Sequence, residues 1–329
     1  MTGTNAFDNA EVLITGGMGF IGSNLARRLV ELNARVTIVD SLIPEYGGNA
    51  FNLNGVEDKI RVNISDVRDP FSMRYHIQGK DFLFNLAGQT SHMDSMQDPY
   101  ADLDINCRAQ LSILEACRHH NPKIRIVFAS TRQIYGKPDY LPVDEKHLLR
   151  PVDVNGINKM AGEWYHTLYT NVYGIQSCAL RLTNTYGPRM RIKDARQTFL
   201  GIWVRLLAEG KPFEVWGGAQ LRDYTYVEDV VDAFLLAAAN RECSGQALNI
   251  GGDCVISLKD TAELMLKANG SGTYISREFP ADRKRIDIGD YYADYSRIKS
   301  LLGWQPRVAL QDGLKQTLDF YRESISNYL

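Results

Sequence analysis

EVLITGGMGFIGSNL, residues 11–25, reads as a short apolar strand that runs directly into glycines at Gly16, Gly19 and Gly22 and then into an amphipathic helix. Each glycine has its own physical use at that spacing. Gly16 turns the chain sharply out of the strand, Gly19 lets backbone approach a pyrophosphate, and Gly22 lets the helix lie close on the sheet. The N-terminus of the helix that follows offers free N–H groups and a positive dipole end to phosphate, and Phe20 and Ile21 of the same motif count among the cofactor-binding residues. A glycine triplet alone is a weak signal, but the strand before it and the helix after it supply the context the motif demands.

Outward from this stretch, the next strand ends at Asp40, eighteen positions beyond Gly22. A carboxylate there accepts both ribose hydroxyls of an adenosine and repels a 2′-phosphate, so NAD is expected over NADP. Asp66 and Val67, after the third strand, are placed to bracket the adenine. Leu86, Ala87 and Gly88, closing the fourth strand, are placed along the diphosphate and the nicotinamide ribose.

The apolar runs Val12–Ile14, Arg35–Val39, Arg61–Ile64, Phe82–Leu86, Ile124–Ala129 and Gln176–Arg181 alternate with helical stretches such as Asn24–Leu32, Ala101–Cys117 and Lys159–Tyr173. That alternation predicts an α/β fold: a Rossmann-type doubly wound parallel sheet over residues 1–183, with a returning segment near 226–250. After Tyr186 the rhythm loosens, and residues 184–329 read as a smaller mixed α/β substrate domain. Its helix around Phe199–Ala208 stops at Gly210-Lys211-Pro212. A short strand at Phe213–Trp216 and a helix from Val227 to Asn240 follow. No polar linker separates the halves, so they are expected to share a cleft.

With 44% hydrophobic and 23% charged residues, the composition is that of an ordinary globular protein. A net charge of −2 points to neither nucleic acid nor an anionic membrane as partner. The five cysteines lack metal-ligand spacing, so no metal is expected, and Cys107 and Cys117 read as small core residues. The first ten residues lack a signal-peptide pattern, and a reduced, cytoplasmic setting is the expectation.

Further motifs follow in order: NLAG at Asn85, STRQIYG at Ser130–Gly136, GINKMAGE at Gly156–Glu163, RLTNTYGP at Arg181–Pro188, LRDYTYVED at Leu221–Asp229, NIGG at Asn249–Gly252 and YADYSRIKSLLGW at Tyr292–Trp304. With the glycine loop, Asp40 and Asp66-Val67, they make the chain resemble the NAD-dependent epimerase/dehydratase family of extended short-chain dehydrogenases/reductases. The resemblance spans nearly the whole length. NLAGQ, and NIGG followed by Ser257-Leu258, add a distant similarity to CDP-tyvelose epimerase.

The resemblance implies NAD as cofactor, a nucleoside-diphosphate sugar as substrate, and epimerisation through a transient keto sugar. It implies that Thr131 bonds the reacting sugar hydroxyl and that Lys159 holds the nicotinamide ribose. It places Asn184 and Arg222 on the substrate diphosphate, with Arg283 or Arg285 as a second arginine. It also implies a homodimer joined by helices that include Ala101–Cys117 and Lys159–Tyr173, although neither shows an unambiguous exposed apolar stripe in the sequence.

Two departures matter. The family's general base is a tyrosine four residues before the lysine, and that position holds Asn155, whose amide neither takes a proton nor ionises near neutral pH. Three explanations stand open: a variant of a tyrosine enzyme, a substitute base at His92 or Asp94, or a protein that binds both ligands without catalysis. The acidic pair that serves hexose 4,6-dehydratases after the threonine is here Arg132-Gln133, which argues against dehydration and weakens decarboxylation. The leading expectation is an epimerase; a silent binding protein and a net oxidoreductase or decarboxylase are the alternatives.

Overall fold

A computed structural model describes residues 6–280 and 285–329. Strands β1 (Glu11–Thr15), β2 (Arg35–Asp40), β3 (Ile60–Ile64), β4 (Phe82–Asn85), β5 (Arg125–Thr131) and β6 (Gln176–Leu182) lie side by side, every pairing parallel. β7 (Asn184–Tyr186), β8 (Phe213–Trp216) and β9 (Leu221–Tyr226) lie elsewhere, and β10 (Ala247–Asn249) then returns to pair with β6. The seven-stranded order is β3-β2-β1-β4-β5-β6-β10. Its direction of winding reverses between β1 and β4, and ligands of such sheets bind beyond the carboxyl ends of the strands at that reversal.

β1, inside the sheet, is buried on both faces, as a parallel sheet covered by helices requires. Val12 and Ile14 pack into a cluster with Leu25 and Leu29 of α1 (Phe20–Glu31), whereas Leu13 points the other way, towards Met73 of α2 (Pro70–Ile77).

Between β4 and β5 the chain forms α3 (His92–Gln97) and α4 (Pro99–Leu103), passes through a π-helical turn at Asp104–Arg108, and continues as α5 (Ala109–His120). The sequence had suggested one even helix over 101–117; the wide turn interrupts it. Gln110 Nε2 reaches back to Ile105 O at 3.0 Å and so satisfies a carbonyl within the turn. Cys117 is buried, but Cys107 is only partly so. α6 (Val154–Tyr173) begins at Asp153, whose Oδ1 accepts from Gly156 N at 2.6 Å, and it stops at Gly174 in the left-handed region at φ +72°.

In the second half, β9 pairs with β7 and with β11 (Val255–Ser257), while β8 pairs with β12 (Tyr274–Arg277). α7 (Phe199–Ala208), α9 (Leu258–Asn269) and the last helix, Leu310–Ser324, close a core around Trp203, Phe213, Tyr226 and Tyr321. α8 (Val227–Ala239) packs instead against the large sheet, where Phe234 meets Phe84. The chain thus crosses between the two cores more than once, and the cleft lies where they meet. Among the described residues no helix is long and apolar enough to cross a membrane.

Candidate active site

A cleft of about 430 Å³ opens at the carboxyl ends of β1, β4 and β5 and is lined from both halves of the chain. At one end lie Gly16, Gly19, Phe20, Ile21 and Gly22, with Asp40, Asp66 and Val67 beside them; Leu86, Ala87 and Gly88 line its middle. Asp40 is only 9% exposed, and its two oxygens accept from Met18 N and Leu42 N, both at 2.9 Å. Burial raises its pKa and the two bonds oppose that shift. The carboxylate is thereby fixed to the glycine loop, with lone pairs left for a diol. Asp66 is gripped by Arg68 Nη2 at 2.6 Å; burial pushes its pKa up, but the Arg68 bonds prevail and the net shift is downward.

The backbone leaves room for a dinucleotide. Gly16 sits at φ +69°, and a Cβ on Gly22 would meet Gly16 O at 2.3 Å. A Cβ on Gly88 would fill a cradle 2.8 Å from Lys159 Nζ and 2.9 Å from Asn106 Oδ1, a buried oxygen with no partner of its own. Thr15 Oγ1 accepts from Leu86 N at 3.1 Å and Ala87 N at 3.2 Å, which clamps the two strand ends together below that cradle.

At the other end lie Thr131, Arg132, Asn155, Lys159, Asn184 and His92. Lys159 is buried and donates to Ala129 O at 3.1 Å; burial pulls its pKa down to about 8, against the opposing charge of Asp102. Glu163, one turn further along α6, gives it no partner, because that carboxylate accepts from Arg181 and, at 2.6 Å, from Ser130 Oγ. Asn155 Nδ2 donates to Gln89 O at 2.8 Å and to Asp102 Oδ2 at 2.9 Å. Asp102 is wholly buried and also accepts from Asn106 Nδ2 at 3.0 Å and Asn158 Nδ2 at 2.8 Å. The residue at the tyrosine position is therefore one of three amides that satisfy a buried carboxylate.

Residues 12–251 match the NAD dependent epimerase/dehydratase family. The chain belongs to that family. A curated relative, a putative UDP-glucose 4-epimerase of Methanocaldococcus jannaschii, is 32% identical over 95% of this chain and 99% of its own length. A UDP-glucose 4-epimerase of Thermotoga maritima, solved with UDP-glucose, superposes with a TM-score of 0.87 at 28% identity, covering 96% of this chain and 99% of that one. A UDP-glucose 4-epimerase of Thermus thermophilus, solved with NAD, gives a TM-score of 0.84 at 27% identity over 95% and 99%. The family is one of enzymes, its cofactor is NAD, and the groove from Asp40 to Gly88 has the shape and donors that this cofactor needs.

Within this family member the remaining expected residues fall in different places. Thr131 lines the cleft, its hydroxyl accepting from Gln133 N at 3.2 Å. Asn184 lines it too, with Nδ2 fixed by Asp223 O at 2.9 Å. Asp94, expected to face the substrate pocket, is turned to the rim, where Arg196 Nε holds it at 3.1 Å, and it does not line the cleft. Arg222 does not line it either: its guanidinium donates to Gly289 O at 2.5 Å and Leu221 O at 2.8 Å, and Asp287 Oδ1 lies 3.5 Å away. Arg285 is exposed outside the lining, and Arg283 lies outside the described residues. Gln133 Nε2 is bound to Asp153 Oδ2 at 2.9 Å. Arg132 stands over the Tyr291 ring at 5.6 Å, with its Nε buried and unpaired; burial and the neighbouring Arg222 charge lower its pKa.

Sequence reading missed Asp102, Asp153 and Gln89. Two of them left a signal: Asp153 precedes a helix as an N-cap, and Asp102 stands four residues before Asn106 on one helical face. Because the Asp40 carboxyl is fixed against the glycine loop, where it would meet a 2′-phosphate, calorimetric titration should show NAD+ binding at least about tenfold more tightly than NADP+. Asp40→Ala should weaken NAD+ binding and narrow that gap. Equal affinities in the unaltered protein would remove Asp40 from the ribose site.

Proposed function

We propose that the protein is an NAD-dependent epimerase of a nucleoside-diphosphate sugar that works through a transient keto sugar. The observation that supports this best is the continuity of the cleft: the dinucleotide groove runs without a break to Thr131 and Lys159, and Asn184 from the second half faces the same space. NAD+, when bound, takes a hydride from a sugar carbon and returns it. In this reading Thr131 orients the reacting hydroxyl. Lys159, charged below about pH 8, supports the nicotinamide ribose and stabilises negative charge growing on the substrate oxygen. Asn184, in the cleft wall, contacts the diphosphate, while Arg222 lies outside the cleft and fixes the segment at 287–289.

Dehydration and decarboxylation fit less well. Arg132 cannot transfer a proton near neutral pH, and Gln133 spends its amide on Asp153. Exposed side chains on α6 favour a homodimer: Ile157, Trp164, Leu168 and Val172 form a stripe along the helix, with Trp164 57% exposed, and Tyr100 and Leu103 of α4 are also exposed. Such a stripe was not evident from the sequence, because buried residues of α6 are polar and blur the pattern.

Incubation with a panel of nucleotide sugars, without added cofactor, should yield the epimer of one of them and no net NADH. Stoichiometric NADH would favour an oxidoreductase, and tight sugar binding without product would favour the silent reading. Sedimentation should give a dimer that Trp164→Glu converts to monomer; a monomeric unaltered protein would contradict the homodimer.

A further inference from the structure

We propose that His92 and Asp153 form the acid–base pair of this site, in place of the tyrosine that the family motif carries at position 155. The inference rests on the epimerase reading above. Among the described residues that line the cleft, the ionisable ones at the adenosine end are Asp40 and Asp66; Tyr46, near the charges of Arg68, Asp98 and Asp94, has its phenol pKa raised by burial and is no base near neutral pH. Those at the sugar end are His92, Arg132, Lys159 and Arg196. Arg132 and Arg196 are cations that hold no proton acceptor. Lys159 is an ammonium at neutral pH and is already engaged as a donor to Ala129 O. The nearby carboxylates are out of reach: Asp94 is turned to Arg196, Asp102 is enclosed by three amides, and Asp223 lies under Gly252 and Ala293. His92 alone of this set can accept a proton.

Its surroundings are built. The Asp153 side chain is 0% exposed, and three elements meet on it. Oδ1 accepts from Gly156 N at 2.6 Å; Oδ2 accepts from Gln133 Nε2 at 2.9 Å and lies 2.9 Å from His92 Nδ1. Burial raises the Asp153 pKa, but His92 and the donors outweigh it, so the group is an anion. The Nδ1 contact has ion-pair distance without full hydrogen-bond alignment, as is usual before a ligand tightens a catalytic contact. With Nδ1 buried against a carboxylate and the side chain 37% exposed, the edge that carries Nε2 is left to the cleft. The ring is also positioned from behind: Ser95 Oγ donates to His92 O at 2.7 Å and accepts from Asn155 N at 3.2 Å, which locks the first turn of α3 onto that of α6. Gln133, where related dehydratases and decarboxylases carry an acid, thus orients the carboxylate that orients the base.

His92 Nε2 takes the hydroxyl proton of the carbinol that NAD+ is oxidising, and the C–O bond becomes C=O. On the return the same nitrogen gives that proton back to the carbonyl oxygen as the hydride re-adds to the carbon. Asp153 keeps Nδ1 protonated throughout and stabilises the imidazolium; it is a positioning residue and exchanges no proton.

The test has two readouts. His92→Ala should lose about 10²–10⁴-fold in kcat, the usual worth of a general base, with NAD affinity unchanged, and added imidazole should restore part of the rate. Asp153→Asn keeps an acceptor for Gly156 N and should lower kcat with little change in KM. A rate for His92→Ala within threefold of the unaltered protein overturns the proposal. Independently of turnover, ¹⁵N spectra of the neutral ring, assigned with His92→Gln, should show His92 protonated at Nδ1 and bare at Nε2, and Asp153→Asn should mix the tautomers. A His92 bare at Nδ1 overturns the pair even if no sugar on the panel reacts, whereas failure of every sugar with the expected tautomer overturns only the epimerase reading.

Discussion

A buried carboxylate that no cation contacts has to be satisfied by hydrogen bonds, and at Asp102 three asparagine side chains do this. The donors come from two places: Asn106 from the π-helical turn, and Asn155 and Asn158 from the first turns of α6. Their shared acceptor draws α4 and α6 together and sets the rotation of α6 about its axis. Lys159 follows Asn158 directly and is delivered by that rotation to the floor of the cleft, where the Asp102 charge partly offsets the cost of burying an ammonium. Removing one donor leaves a buried acceptor short, a change worth about 1–3 kcal/mol. Asn155 is thus constrained as much by what lies behind it as by the cleft before it.

Displacing a tyrosine's function from position 155 requires that a proton acceptor arise elsewhere, and the arrangement of α3 supplies one. Its first turn is hydrogen-bonded to the first turn of α6 through Ser95, so position 92 is tied to the helix that carries Asn155 and Lys159. The charges divide cleanly across the site. Asp40 lies beside the glycine loop at one end of the cleft, the Lys159 ammonium at its floor, and the Asp153 anion behind His92 at the other end.

What could be read in the sequence was local. Glycines at fixed offsets from a strand and a helix specify a turn whose geometry hardly depends on the rest of the chain, and Asp40 closes a strand that must pair beside it. That the six leading strands run parallel followed from their alternation with helices, whereas their order in the sheet did not. What could not be read were partnerships between distant residues. Asp94 follows His92 by two positions, yet one faces Arg196 and the other Asp153, because successive helical residues diverge by about 100°. Arg222 looked like a phosphate ligand by position, but two backbone carbonyls occupy its guanidinium. The π-helical turn left no mark in the hydrophobic pattern, since Gln110 and Asn106 read as ordinary polar positions and only the fold shows which backbone and side-chain groups they satisfy.

The claim on which this account turns is that Asn155 belongs to a rebuilt site and is not the remnant of a lost one. Restoring the family residue with Asn155→Tyr tests it most directly, with turnover and unfolding free energy measured on the same preparation. A phenol has one hydrogen to donate where the amide serves both Gln89 O and Asp102. The account predicts a loss of stability above about 1 kcal/mol and no gain in epimerisation rate over the unaltered protein. A large gain in rate at undiminished stability would contradict it, and would mean that the pocket is still arranged for a tyrosine.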